Sequence, residues 1–338
     1  MERIPLDNTV FEGRNDVYLL DEGSETALVD VGDPTASTRE DLRAALAAHD
    51  LSFADVDTVL LTHWHPDHIG LAGVVQAAGG ATVHVHEADA PLVAGDEAAW
   101  DAMRATQHRR FEEWGIPDAK RDELRANFHG PEAFEAFADV TPFSDGATFD
   151  IGTDTLRAVH VSGHAAGLCL FEFDDDGAHA AFTGDALLPE YTPNVGGADV
   201  RVEHPLRDYV AGLERVAAAD YDVAWPGHRD RIDDPTGRAR EIITHHEHRA
   251  WRVLDAVRRL DEPDTWAVSA DLFGDLHGVH ILHGPGEADA HLRHLAEAGV
   301  VHRDADRRYR LADGIAARLA GRSDERWPLT EGADGERR

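Results

Sequence analysis

Thr62-His63-Trp64-His65-Pro66-Asp67-His68-Ile69-Gly70 places four metal-capable side chains within six residues. It follows the apolar run Val56 to Leu61, which reads as a buried strand. His63 and His65 come next at period two, so on an extended backbone both project to one side. Pro66 ends the strand and suits the first turn of a helix. From that turn Asp67 and His68 swing back toward the same point. Three imidazoles and a carboxylate around one cavity suit zinc or a similar borderline ion. The bland alternative is a histidine-rich surface loop. Such compact spacing at a strand end, followed by Ile69-Gly70, argues against it.

This stretch resembles the HxHxDH signature of the metallo-β-lactamase superfamily. Three further segments resemble the remaining ligand loops of that family: Val159-His160-Val161-Ser162-Gly163-His164, Ala181-Phe182-Thr183-Gly184-Asp185 and Val223-Ala224-Trp225-Pro226-Gly227-His228. They occur in the family's order, each behind an apolar run. The resemblance implies an α/β fold, a four-layer αββα sandwich, and an enzyme, a metal-dependent hydrolase. It implies that His63, His65 and His164 hold one metal, that Asp67, His68 and His228 hold a second, and that Asp185 bridges them. The mixed nitrogen and oxygen set suits two zinc ions, with iron or manganese as alternatives. A water shared by two such ions becomes a hydroxide near neutral pH and attacks a carbonyl carbon or a phosphorus. Asp67 and Asp185 are the expected catalytic carboxylates.

The bridging position separates branches of the family. The main zinc β-lactamases carry a cysteine near this point, whereas Asp185 resembles the glyoxalase II-like and nuclease branches. The single cysteine, Cys169, is poorly placed to substitute, so a penicillinase is disfavoured. One departure is Ala165-Ala166-Gly167 after His164, where related branches usually show Thr, a variable residue and Gly. The missing hydroxyl removes a hydrogen bond that could steady the site.

Other elements must position these loops. Val17 to Leu20 and Thr26 to Gly32 read as paired strands around the turn Asp21-Glu22-Gly23-Ser24. A helix is expected over Thr38 to His49, another over Ile69 to Ala78, and a strand over Ala81 to His86. His84 and His86 alternate on that strand, which fits a half-exposed strand face better than a metal site. Residues 90 to 137 have helical texture and either cover the mouth of the site or pack as an ordinary excursion. Strands are expected over Thr148 to Gly152, Thr155 to Val161, Leu168 to Phe173 and Ala178 to Phe182, with Asp174-Asp175-Asp176-Gly177 as a hairpin turn. A helix over Leu206 to Ala219, a strand over Val223 to Trp225 and a long helix over Pro235 to Leu260 follow. His245, His246 and His248 on that last helix fit a solvated face.

Near Asp261-Glu262-Pro263-Asp264 the pattern changes. Short helices over Ser269 to Leu272 and Pro285 to Ala298 precede a ribbon, Gly299 to Arg303 and Arg307 to Leu311. This resembles the C-terminal winged helix of one hydrolase subgroup, the one that includes β-lactamase-like protein 2. The expected division is a hydrolase domain over 1–262, a winged-helix-like domain over 263–320 and a disordered tail over 321–338.

The chain has 338 residues, a hydrophobic fraction of 42% and a net charge of −33, with 65 acids against 32 Lys plus Arg. Lys120 is the only lysine. Acids spread along the whole chain suggest adaptation to high salt, where their repulsion is screened. One cysteine excludes an intrachain disulfide. The first residues lack a charged leader ahead of an apolar run, and no apolar stretch reaches membrane-spanning length, so a soluble cytoplasmic protein is expected. The leading function is hydrolysis of an ester, thioester or lactone, with a small molecule as substrate. A metal-dependent endoribonuclease acting on single-stranded RNA is the rival, set against a charge that repels phosphate chains. A diiron oxidoreductase would need a flavin partner domain, for which the remaining C-terminal segment is too short and has no phosphate-cradling Gly-rich loop, and a non-catalytic nucleic-acid-binding regulator sits ill with an intact ligand set. A homodimer through the C-terminal segment is the remaining partner expectation.

Overall fold

The structure is a computed structural model that describes residues 1–8, 13–21, 25–127 and 130–315. The expected tail over 321–338 lies outside them. In chain order the elements are β1 (Glu2–Leu6), β2 (Asn15–Asp21), β3 (Thr26–Val29), α1 (Ala36–Ala47), β4 (Thr58–Leu60), α2 (Pro66–Ile69), α3 (Ala72–Gly79), β5 (Thr82–His86), α4 (Ala90–Val93), α5 (Glu97–Glu113) and α6 (Asp118–Asn127). They continue with β6 (Val140–Phe143), β7 (Thr148–Ile151), β8 (Asp154–His160), β9 (Cys169–Asp175), β10 (Ala178–Gly184), α7 (Pro205–Ala219), β11 (Val223–Pro226), α8 (Pro235–Leu260), α9 (Thr265–Phe273), α10 (His280–Glu297), β12 (Val301–Arg303) and β13 (Tyr309–Leu311).

The chain forms two compact units. One comprises Met1–Ala102, His129–Pro193 and Ala211–Ala239; the other comprises Met103–Phe128, Asn194–Val210 and Arg240–Arg338. This differs from the boundary expected at residue 262. The second unit is not a terminal appendage, because earlier segments complete it. The buried carboxylate of Glu287 on α10 accepts the Val195 amide at 3.0 Å, and the Trp114 carbonyl accepts the Trp266 amide at 2.8 Å.

In the first unit two sheets face each other. One runs β1-β2-β3-β4-β5-β6 and the other β11-β10-β9-β8-β7. β1, β2 and β3 pair antiparallel; β3 to β6 are parallel, as are β10 and β11. Tyr18, Leu20, Val29 and Leu60 from the first sheet share one core with Leu156, Phe171, Phe173 and Phe182 from the second. β2 is buried at six of its seven positions, as a strand covered on both faces requires. α1 buries Leu42 and Leu46, and α3 buries Val74 and Val75. Phe173 and Phe182 stack with centroids 4.4 Å apart. Cys169 belongs to this core, and among the described residues no convergent ligand grouping includes it.

Several boundaries differ from expectation for identifiable reasons. α1 starts at Ala36, ahead of the expected Thr38, because the Thr35 hydroxyl caps it, accepting the Thr38 amide at 3.1 Å. The expected hairpin turn is present: Asp175 pairs with Ala178, and Asp176 and Gly177 both take positive φ, 54° and 90°. That is the twist a two-residue hairpin prefers. α8 spans the expected residues, but its histidines correct the solvated-face reading. His248 is exposed, whereas His246 is fully buried. His86 likewise is buried, stacked on His160 at 4.0 Å, so it does not lie on a half-exposed face.

The second unit holds α6, α9 and α10 with the β12–β13 ribbon, whose strands pair antiparallel. α10 starts five residues ahead of the expected Pro285, which therefore lies inside it. The helix tolerates the lost donor because burial of Ile281, Leu282, Leu292 and Leu295 offsets the roughly 3 kcal/mol cost of an interior proline. Among the described residues no helix is long and apolar enough to cross a membrane.

Candidate metal centre

All seven residues singled out in the sequence lie in the first unit and are buried: His63, His65, Asp67, His68, His164, Asp185 and His228. β4 ends at Leu60, and His65, itself extended at φ −60° and ψ 143°, is the N-cap of α2, which starts at Pro66. His164 follows β8, Asp185 closes β10, and His228 follows β11. Three ligand groupings converge, His63-His65-His164, His63-His68-Asp185 and Asp67-His68-His228, each with its candidate atoms within 4.8 Å of one another.

Hydrogen bonds fix which ring nitrogen each histidine presents. The Asp30 carboxylate can only accept, and it faces the Thr62 hydroxyl at 2.8 Å and His68 Nδ1 at 2.8 Å. The Thr62 hydroxyl spends its one proton on Asp30, so it must accept from His63 Nδ1, 3.0 Å away. His228 Nδ1 donates to the Arg14 carbonyl at 3.1 Å. His63, His68 and His228 therefore each turn Nε2, not Nδ1, inward, and that is the nitrogen whose lone pair a cation would take in place of a proton. His65 contributes Nδ1, which is 2.8 Å from His63 Nε2 and 3.0 Å from His164 Nε2.

Asp185 divides its oxygens between the two sides. Oδ2 is 3.5 Å from His164 Nε2, while Oδ1 is 3.5 Å from His68 Nε2 and 3.4 Å from His228 Nε2. Burial alone raises a carboxyl pKa, but His228 and His68 outweigh it and hold Asp185 well below the usual range. Burial lowers His228, and the facing Asp185 carboxylate more than reverses this, raising the ring to about 9. His63 is driven well down, by burial first and then by His68. Among the described residues His68 Nε2 and Asp185 Oδ1 are buried and meet no hydrogen-bond partner of good geometry. Inward lone pairs, a carboxylate and orphaned polar atoms fit divalent cations, which would satisfy all of them at once.

Four supporting residues carry little signal in the sequence. Asp30 takes φ 57° and orients His68 and, through Thr62, His63. Its one signal is an acid between apolar neighbours, Val29 and Val31. Asn8 and Asn15 donate to Asp67 Oδ2 at 3.3 and 3.2 Å. Asp89, fully buried, accepts the Trp64 amide at 3.1 Å and the Gly167 amide at 3.0 Å. It thereby holds the loop whose threonine is missing. His160 helps, donating from Nε2 to the Ala166 carbonyl at 2.8 Å. Gly227 is required by close approach: a Cβ there would lie 2.7 Å from His68 Cε1 and 2.8 Å from Asp185 Oδ1.

The chain is similar to several known proteins. The family described as Metallo-beta-lactamase superfamily matches residues 10–228. Lactamase-like protein aptB of Emericella nidulans is 30% identical over 242 residues, 72% of this chain and 59% of its own length. A beta-lactamase-like protein 2 homolog of Drosophila melanogaster is 26% identical over 250 residues, covering 72% of this chain and 68% of that protein. The atrochrysone carboxyl ACP thioesterase of Aspergillus fumigatus is 26% identical over 256 residues, 74% of this chain and 61% of that protein. The chain thus spans about three-fifths of the length of these two fungal relatives. Among solved structures, the metallo-beta-lactamase family protein TTHA1429 of Thermus thermophilus superposes with a TM-score of 0.78 at 32% identity, covering 92% of this chain and 98% of that one.

Proposed function

The chain belongs to the metallo-β-lactamase superfamily, and from that premise we propose a binuclear, zinc-dependent hydrolase that cleaves thioesters, with esters and lactones as chemical neighbours. The carrying observation is Asp185, whose two oxygens face His164 on one side and His68 with His228 on the other. His63, His65 and His164 would hold one ion; Asp67, His68 and His228 the other; Asp185 both. Bound there, the pair would supply Lewis acidity that activates water and polarises a carbonyl. The chain's own groups do the rest. Asp67 keeps Oδ2 in place through Asn8 and Asn15, and so can orient an attacking water and take its proton. Asp30 holds two imidazoles in one tautomer without itself reaching the centre. A thioester is favoured over other acyl groups because one relative is named an ACP thioesterase.

α9, α10 and the β12–β13 ribbon keep the order of a winged helix, which supports that subgroup reading for the C-terminal segment. The test is elemental analysis of metal-replete protein together with turnover on acyl thioester, lactone and single-stranded RNA panels. Close to two transition-metal ions in this centre, with thioester cleavage lost on chelation, is expected. Cleavage of RNA alone would replace the substrate class. Turnover that is indifferent to chelation would overturn the reading.

A further inference from the structure

A second histidine cluster lies in the other unit. His246 from α8 and Glu287 and His291 from α10 are buried, with candidate ligand atoms within 4.8 Å of one another. Glu287 and His291 are four residues apart on α10, so they share a face. His246 Nδ1 is 3.4 Å from His291 Nε2 and 3.7 Å from Glu287 Oε1. Those separations are close to the roughly 3.4 Å edges of a tetrahedron whose centre sits about 2.1 Å from each ligand atom.

Local hydrogen bonding prepares the donors. His291 Nδ1 donates to the Glu287 carbonyl at 2.8 Å, leaving the Nε2 lone pair facing His246. His246 Nε2 is buried without a hydrogen-bond partner among the described residues. Nδ1 is the nitrogen that faces the cluster, and Nε2 is unpartnered whichever nitrogen carries the proton. With the proton on Nε2, two nitrogen lone pairs and a carboxylate oxygen converge.

We propose that His246, Glu287 and His291 form a further cation site, for a borderline divalent ion such as zinc, that staples α8 to α10. Arg249 sets its strength. The guanidinium donates to Glu287 Oε1 at 2.7 Å, and Oε2 accepts Val195 N at 3.0 Å and Asn194 Nδ2 at 3.3 Å. Oε1 keeps one lone pair, but its charge is shared. Hard ions that need many oxygens are therefore excluded, and nitrogen-seeking ions are selected. The ion is held more weakly than ions at the first centre, and a chelator removes it first.

The test separates this site from the first centre. In a background with His63, His65, His68, His164 and His228 all changed to Ala, which leaves no imidazole in the first centre, the protein should retain close to one zinc per chain after dialysis. X-ray absorption should read two imidazoles on that zinc, and zinc should raise the melting temperature. Adding His246→Gln and His291→Gln to that background should abolish retention. If those variants fail to fold, the absorption spectrum of the parent background decides. A background that folds yet holds no zinc, or holds it without two imidazoles, overturns the site whatever the first centre does.

Discussion

The Asp89 carboxylate accepts the Gly167 amide at 3.0 Å, and with its other oxygen the Trp64 amide at 3.1 Å. One buried acid thus ties the loop carrying His65 to the turn that follows His164. A Cβ on Gly167 would sit 2.6 Å from the Asp89 side chain, so the contact leaves no room for any other residue. Asp89→Ala is expected to weaken metal retention by about 10- to 100-fold, on the scale of losing a group that orients ligands. Gly167→Ala should do the same by displacing the carboxylate. Competition with a calibrated chelator measures both. Unchanged affinity in both variants would show that the loops hold themselves.

Asp185→Asn keeps the shape of the bridge and removes its charge. Rates should fall by at least about a hundredfold, as when a charged stabilising group is taken from a reacting centre. Metal content should drop while the melting profile stays cooperative. Parental rates on a thioester substrate would contradict the bridging role.

Asp16 supplies a pH dependence. Burial raises its carboxyl pKa to about 6, against the lowering effect of Arg3 at 2.9 Å. The folded protein therefore binds a proton more tightly than the unfolded chain, whose Asp titrates near 3.8. Folding stability from this group is greatest below that value and is lost as pH rises from about 4 to about 6, by roughly 2–3 kcal/mol. Asp16→Asn should remove that decline. Denaturant titrations of metal-free protein at several pH values compare the two. Parallel stability curves over that window would rule the effect out.

A chain ending at residue 260 tests the domain division. Such a fragment leaves Val195 and Asn194 without the Glu287 carboxylate and the Trp114 carbonyl without the Trp266 amide. It is expected to be poorly soluble, although every residue of the first centre remains. A soluble, metal-loaded fragment, or clean proteolysis at 260–265 that releases one, would restore the division at residue 262.

The sequence by itself determined the centre and most of the framework. The spacing of His63, His65, Asp67 and His68 behind an apolar strand left little freedom, because period-two projection and Pro66 are local properties of the chain. The two-sheet sandwich was implied by the family resemblance, whereas local signals marked single elements such as the Asp176-Gly177 turn, whose positive φ values those residue types accept, and left the edge strands β1 and β6 unmarked. Only the tertiary structure decided what steadies the ligands. Asp30, Asn8, Asn15 and Asp89 act across separations of 25 to 78 residues, and no periodicity announces a bond of that kind. Tertiary packing likewise decided the fate of His246: on α8 it looks solvated from its neighbours, but the face it occupies is covered by α10. Burial is a property of what packs against a helix, and that is set by residues far along the chain.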